Sequence, residues 1–407
     1  MRFSTLFLII SLFFSCDKTN KGDSLLIPEL KIELIEDVKI IGHKGSGDPP
    51  NHGYLQYKSN SYESIKNAFE LVDGSEIDLQ ISKDLSLWLY HDFTVMDCSN
   101  NQVNISTLND EEVNKISSCT YGGQIISLTN FISKLKSENY TSKTLSLDMK
   151  LLENPEAEKL FKNRNEFLSK VNKSINEIKQ LTFITLQIEV SNMEDYNYFK
   201  ENNNSTPYLL IRTKEGLKQT NPDLNFSYNL NLLSTELIKQ TIGNKSQIWT
   251  ANSVDEMINA INYSPNYIQT DNVSLGHFFK KMTPNNLIIN PLFFKHIYGT
   301  KDKQEYLDVF TLNIDDFDTN FILNLSFNTK EQFKEGLLVV YTSKNSKGEA
   351  AYWTGDKIVI EKENYYSFIN LEKLKQLDCK ELKVYIWNTN KQNFQLFNYS
   401  INQLVLT

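Results

Sequence analysis

From about residue 38 to residue 280, short β-rich runs alternate with helical patterns, and few folds accept that order over so long a stretch. Candidate strands are 38–42 (VKIIG), 75–81 (SEIDLQI), 86–90 (SLWLY), 144–149 (TLSLDM), 182–188 (TFITLQI), 207–212 (PYLLIR), 225–229 (NFSYN), 246–251 (SQIWTA) and 267–270 (YIQT). Amphipathic helices fall between them. Ile65, Ala68, Phe69 and Val72 recur at i, i+3, i+4 and i+7, and so do Val254, Met257, Ile258 and Ile261. A longer helical stretch is predicted over 156–180, with Leu160, Phe161, Phe167, Leu168, Val171, Ile175 and Ile178 as its apolar face. Parallel strands joined by helices predict a (β/α)8 barrel of the TIM type over 38–280. There is one strand candidate too many for such a barrel, so one of them is a loop or a peripheral strand.

The pattern changes across 281–295 (KMTPNNLIINPLFFK), which reads as a linker. Beyond it, β-branched and aromatic runs such as 306–313, 337–342 and 382–387 recur at short intervals with polar turns between. This predicts a smaller C-terminal antiparallel β-sandwich over 296–407. Trp353, Tyr365, Tyr366 and Trp387 invite a carbohydrate-binding reading, but are expected to fill its core.

Residues 1–16 (MRFSTLFLIISLFFSC) place one arginine before a short apolar run and close on Ser15-Cys16. The run is too short to span a bilayer and has the form of an export signal. Its ending resembles a bacterial lipoprotein signal, which implies a chain anchored to a membrane through a lipidated Cys16. The expected location is therefore an exported lipoprotein on a periplasmic or cell-surface face, with 17–37 as a tether. Cys98 and Cys119 lie in one connecting segment, and whether they pair is left open at this stage. Cys379 reads as a small buried residue.

The net charge of −8 argues against a nucleic-acid partner. It also means that a phosphate-bearing ligand needs local cations or a metal. Chemistry-bearing residues concentrate at strand ends. His43 follows the run 38–42, and His91 follows 86–90. Glu76 and Asp78, at i and i+2 of one strand, share a face. Two carboxylates aimed together into a barrel mouth repel, and a divalent cation relieves them. Asp148 ends another strand, with Lys150 two residues on. Such a set suits metal-assisted phosphoester chemistry with imidazoles moving protons.

The motifs Ile41-Gly42-His43-Lys44-Gly45, Asn60-Ser61-Tyr62-Glu63-Ser64-Ile65, Glu76-Ile77-Asp78 with Ser82-Lys83-Asp84, His91-Asp92, Leu147-Asp148-Met149-Lys150, Trp249-Thr250-Ala251-Asn252 and Thr270-Asp271-Asn272 occur in this order. In order and spacing they resemble the glycerophosphodiester phosphodiesterase family over about 38–280. The resemblance implies a β/α barrel that hydrolyses a small glycerophosphodiester to an alcohol and glycerol 3-phosphate. It implies His43 and His91 as the acid/base pair. Glu76, Asp78 and Asp148 would hold one Ca²⁺ or Mg²⁺. Lys44 and Lys150 would contact phosphate, and Trp249 would line the pocket. Lys44 stands where the family has Arg, Asp148 where it has Glu, and Lys58-Ser59 where it has Pro-Glu. His52 reads as a loop histidine. The alternatives are a phosphodiesterase acting on a larger lipid or polymer, and a non-catalytic surface binding lipoprotein on the same barrel.

Overall fold

The computed structural model describes residues 37–47, 57–138, 140–202, 205–216, 223–233, 246–281, 287–296, 300–301, 305–317, 321–328, 337–357, 364–391 and 394–406. The signal segment 1–16, nearly all of the 17–37 tether and His52 lie outside them.

Eight parallel strands close into a barrel: β1 (Lys39–Gly42), β2 (Gly74–Ile81), β3 (Lys143–Asp148), β4 (Ile184–Val190), β5 (Thr206–Ile211), β6 (Phe226–Asn229), β7 (Ser246–Trp249) and β8 (Tyr267–Thr270). Neighbours in sequence pair around the ring. The ring shuts where β1 pairs with both β8 (Gly42↔Thr270) and β2 (Ile41↔Gly74). In β2 all eight residues are buried, although the run alternates polar and apolar. Ile77, Leu79 and Ile81 face outward into the core shared with helix residues such as Ile65, Phe69 and Phe131. Glu76, Asp78 and Gln80, alternating with them, take the opposite face, inside the barrel. Buried polar residues recur on the other strands, with Ser146, Gln187, Glu189, Ser227, Gln247 and Gln269 among them.

The helices form for the reasons visible in sequence. Helix Tyr62–Leu71 begins at Ser61, whose side chain accepts from Ser64 N, and buries Ile65, Ala68 and Phe69. Helix Val254–Asn262 opens with a Ser253/Glu256 capping box and buries Val254, Met257, Ile258 and Ile261. The stretch 156–180 is not one helix. It divides into Pro155–Glu158, Arg164–Ile175 and a single turn at Ile178–Gln180. Asn163 restarts the chain by capping Glu166 N at 3.0 Å, a local signal stronger than the continuous apolar periodicity.

The surplus strand is 86–90. Leu87–Leu89 pairs antiparallel with β2 (Leu79↔Leu89) and stays outside the barrel. Only a tight turn at 82–86 joins the two, too short for the crossover a parallel neighbour needs. The insertion that follows has its own small core of Trp88, Val95, Ile105, Leu108, Val113, Ile116 and Ile125. Cys98 and Cys119 are disulfide-bonded across it, and Cys379 is buried with a free thiol.

The C-terminal part forms two antiparallel sheets. One has five strands: β9 (Leu287–His296), β11 (Phe321–Asn328), β14 (Asn364–Ile369), β16 (Phe394–Leu406) and the short Thr300–Lys301. The other has four: β10 (Tyr306–Asn313), β12 (Leu337–Asn345), β13 (Ala350–Lys357) and β15 (Cys379–Asn388). The segment 281–295, read as a linker, is mostly strand β9. Its Pro291 is accommodated because β9 is an edge strand whose register shifts between Pro291 and Phe293. Trp353 and Trp387 do not fill the core. Leu382, Val384 and Ile386 of β15 are buried, so the alternating Trp387 takes the opposite face, half-buried and stacked on Tyr306. Trp353 is likewise half-buried, and the side chains of Tyr365 and Tyr366 lie outside the described residues. Phe368 packs against Phe278 of the barrel's last helix with ring centroids 5.0 Å apart.

Candidate active site

The site forms at the carboxyl ends of the barrel strands. Immediately after β1, the chain turns through His43 and Lys44, with Lys44 at φ 52° and Gly45 at φ 87°. Only glycine suits position 42, where a Cβ would lie 1.8 Å from Gly45 O. The turn directs Lys44 N onto Glu76 Oε2 at 2.7 Å. Lys44 itself is buried, at 9% exposure.

Glu76, Asp78 and Asp148 come together. One oxygen from each lies within 4.8 Å of the others, and all three residues are buried. Asp78 is fixed by Asn60, which donates from Nδ2 to Asp78 Oδ2 at 2.8 Å and accepts from Asp78 N at 2.9 Å. Lys150 Nζ lies 2.7 Å from Asp148 Oδ2 and 4.0 Å from Asp78 Oδ1. Arg212, after β5, forms a forked pair with Glu153 (2.8 Å twice) and comes within 3.9 Å of Asp148. Two carboxylate oxygens, Glu76 Oε1 and Asp148 Oδ1, are buried with no hydrogen-bond partner.

The electrostatics follow from burial. Glu76 is raised well above the usual carboxylate range, by desolvation first and then by Asp78, Glu189 and Asp148. Asp148 is pushed up to about 7 by desolvation, with Lys150 opposing and Asp78 and Glu189 adding to the rise. Lys150 is held above its ordinary value because Asp148 and Asp78 outweigh its own burial. Glu76 and Asp148 favour their neutral forms first because burial strips water from the charged form, and then because neighbouring carboxylates repel it.

His43 sits at the rim of this cluster, with Nε2 4.0 Å from Glu76 Oε2. Its Nδ1 donates to Asp271 Oδ1 at 2.7 Å. Burial lowers the imidazole's affinity for a proton, but the charge and hydrogen bond of Asp271 more than offset it, and the net shift is upward. Asp271 is itself held by Asn252, which donates to Oδ2 at 2.6 Å and accepts from Asp271 N at 2.7 Å. This fixes the imidazole so that Nε2 faces the carboxylates.

His91 arrives by a different route from the one expected. The run before it is an antiparallel return, so it ends no barrel strand. The return still brings the chain back to the level of Asp78: Tyr90 N donates to Asp78 O at 3.1 Å and Gln80 Nε2 donates to His91 O at 3.1 Å. The ring bonds Asp92 at 2.7 Å and is 41% exposed. Lys58, which precedes Asn60, places its ammonium 3.5 Å over the ring of Tyr121. Tyr121 OH in turn meets Tyr90 OH at 3.2 Å. Trp249 ends β7, half-buried, with a buried Nε1 that has no hydrogen-bond partner.

Residues 43–275, more than half of the chain, match the model of the Glycerophosphoryl diester phosphodiesterase family. The chain belongs to that family. It is thus a phosphodiesterase, and its barrel carries the matched segment almost from end to end. No curated protein matches the chain. Among solved structures it is similar to a glycerophosphodiester phosphodiesterase from Parabacteroides distasonis, 17% identical, with a TM-score of 0.45, covering 60% of this chain and 97% of that one. It is similar to one from Thermotoga maritima, 17% identical, TM-score 0.42, covering 59% and 96%. A third is an Oleispira antarctica phosphodiesterase in complex with the product sn-glycerol-3-phosphate, 15% identical, TM-score 0.46, covering 60% and 97%.

Sequence reasoning gave no role to Asp271, Asn252, Glu189 or Arg212 of this phosphodiesterase. For Asp271 a signal existed. A closed barrel sets its last strand beside its first, so the residue following β8 must face the residue following β1, and His43 N does bond Thr270 O at 2.9 Å. Glu189 follows the run 182–188 and Arg212 closes the run 207–212, the same strand-end position that marked His43.

Proposed function

We propose that this phosphodiesterase hydrolyses small glycerophosphodiesters to an alcohol and glycerol 3-phosphate, with one divalent cation, Ca²⁺ or Mg²⁺, held by Glu76, Asp78 and Asp148. The observation that carries the reading is the pair of orphaned oxygens. Glu76 Oε1 and Asp148 Oδ1 are buried and unpartnered within a cluster of three carboxylates. Buried carboxylates left in that state are strongly unfavourable, and an all-oxygen donor set suits a hard divalent cation. When bound, the cation supplies a Lewis acid that offsets the negative charge of the phosphodiester.

His43 and His91 are the acid/base pair in this reading. His43, oriented by Asp271, presents Nε2 to the carboxylate side of the pocket and moves a proton there. His91, bonded to Asp92 at the rim, moves the second proton. One imidazole takes the proton of the attacking oxygen, and the other gives a proton to the departing alkoxide. Lys150 and Lys44 supply positive charge against the phosphate oxygens, as point charges without the fork of an arginine. Trp249 forms an apolar wall. The same proposal anchors the enzyme to a membrane through a lipidated Cys16, on an exported face.

The test follows glycerol 3-phosphate release from glycerophosphocholine and glycerophosphoethanolamine, with Ca²⁺, with Mg²⁺ and with chelator. Release is expected only with metal. His43→Ala and His91→Ala are each expected to lose at least about 100-fold in kcat while keeping the fold. Unchanged turnover in both variants would remove them as the acid/base pair.

A further inference from the structure

We propose that Glu189 is a positioning residue for the cation, a fourth buried carboxylate that binds no metal itself but sets how strongly the Glu76–Asp78–Asp148 cluster takes one and which valence it prefers. The inference rests on reading that cluster as a cation site.

Glu189 is the register partner of Asp148 on the neighbouring strand and is 2% exposed. Its two oxygens differ from those of the cluster because they are satisfied. Oε1 accepts from Ser146 Oγ and from Gln269 Nε2, both at 2.7 Å. Oε2 accepts from Ser227 Oγ at 2.9 Å, and Gln247 Nε2 donates to that hydroxyl at 3.1 Å. These donors come from β3, β6, β7 and β8, so four strands fix the carboxylate in the barrel interior. All of these donors are neutral, so no cation is among the groups that hold the carboxylate, although Arg212 feels its charge; in so dry a place that charge is poorly screened. Its effect reaches both Glu76 and Asp148.

Lys150 lies against Asp148 and Asp78, and Arg212, paired with Glu153, comes within 3.9 Å of Asp148. Glu189 adds a further negative charge to this site while its own oxygens stay engaged by their donors. Glu189 thus contributes charge while the cluster contributes ligands. The hydrogen bonds that hold Glu189 also keep it from moving inward to become a ligand.

The experiment measures equilibrium binding of Ca²⁺ and of Tb³⁺ to the full chain without substrate, by calorimetry and by lanthanide luminescence. In Glu189→Gln, the new amide nitrogen can face Ser227, whose hydroxyl reverses to accept, while the amide oxygen keeps Ser146 and Gln269 as donors, so the fold is expected to persist. Ca²⁺ affinity is expected to fall by about tenfold or more, and Tb³⁺ affinity by a larger factor, because the lost Coulomb energy scales with the charge of the ion. In Glu189→Asp, which keeps the charge, the ratio of the two affinities is expected to stay as in the wild type. An equal loss for both ions in Glu189→Gln, or no loss, would overturn the proposal. So would a changed ratio in Glu189→Asp. Should the wild type bind neither Ca²⁺ nor Mg²⁺, the cation site itself falls, and this role of Glu189 falls with it.

Discussion

Asp148 carries the clearest consequence of burying three carboxylates together. Its folded-state pKa is raised to about 7 from an ordinary value of 3.8. A carboxylate raised in this way is protonated in both states at low pH. Between the two values the unfolded chain has already released the proton while the folded one still holds it. Stability must therefore fall as pH rises from 3.8 toward about 7, and Glu76, raised in the same direction, adds to the fall. The chelated enzyme is expected to have a lower melting temperature at pH 7.5 than at pH 5. Saturating Ca²⁺ should reverse this, with a larger gain at pH 7.5, because ligation needs the ionised acids. At a concentration near 100 times Kd the gain is about 2.7 kcal/mol. Thermal melts at the two pH values, with and without metal, check both signs; equal gains at the two would contradict it. At this scale the sequence was informative where a local rule applied. Glu76 and Asp78 share a face because strands have period two. Asp271 was missed because its pairing with His43 spans the whole barrel, and nothing local marks it.

Strand β2 shows how an element positions the chemistry. Its inward face carries the ligand candidates, and its partner loop carries Asn60. Asn60 is buried at φ 59°, a left-handed conformation that asparagine tolerates better than most residues. From there it makes both hydrogen bonds to Asp78. Asn60→Ala removes both and leaves Asp78 N and Asp78 Oδ2 without this partner. The expected cost is about 1–3 kcal/mol in chemical denaturation, with weaker Ca²⁺ binding in calorimetry. A variant as stable as the wild type with unchanged Ca²⁺ affinity would show that Asn60 does not hold Asp78 in place. The strands themselves were legible as hydrophobic runs, but their direction was not. The run 86–90 has strand composition like the others, and only the five-residue span 82–86 shows that it must fold back. Likewise, 281–295 was read as a linker because the strand–helix alternation stops there, yet most of it is edge strand β9, where Pro291 is tolerated.

At the scale of the whole molecule, the barrel, the C-terminal sheets and the first 37 residues answer different questions. The order of β and α runs made the barrel legible because a parallel sheet requires a helix between strands, and that requirement is written along the chain. The contact of Phe278 with Phe368 joins regions that no periodicity connects. The opening segment bears on where the reaction takes place. Glycerophosphodiesters are small and water-soluble, so the proposed anchor is not needed for access to the substrate; it would hold the enzyme at a membrane. The 17–37 stretch, 21 residues long, cannot reach farther than about 70 Å when fully extended. The proposed attachment point is Cys16, and an acidic chain with a net charge of −8 gains no overall electrostatic hold on an anionic bilayer. Attachment should therefore depend on the lipid alone. In a bacterial host, Cys16→Ser is expected to move the protein out of the detergent-extracted membrane fraction and to abolish incorporation of labelled fatty acid. The rate of glycerol 3-phosphate release per enzyme should stay within about twofold of the wild type, because the residues of the proposed site all come from residue 43 onward. Raising salt should leave the wild type on the membrane, since acyl burial is not screened. Release of the wild type by salt, or persistence of Cys16→Ser in the membrane fraction, would mean that some other surface of the molecule holds it there.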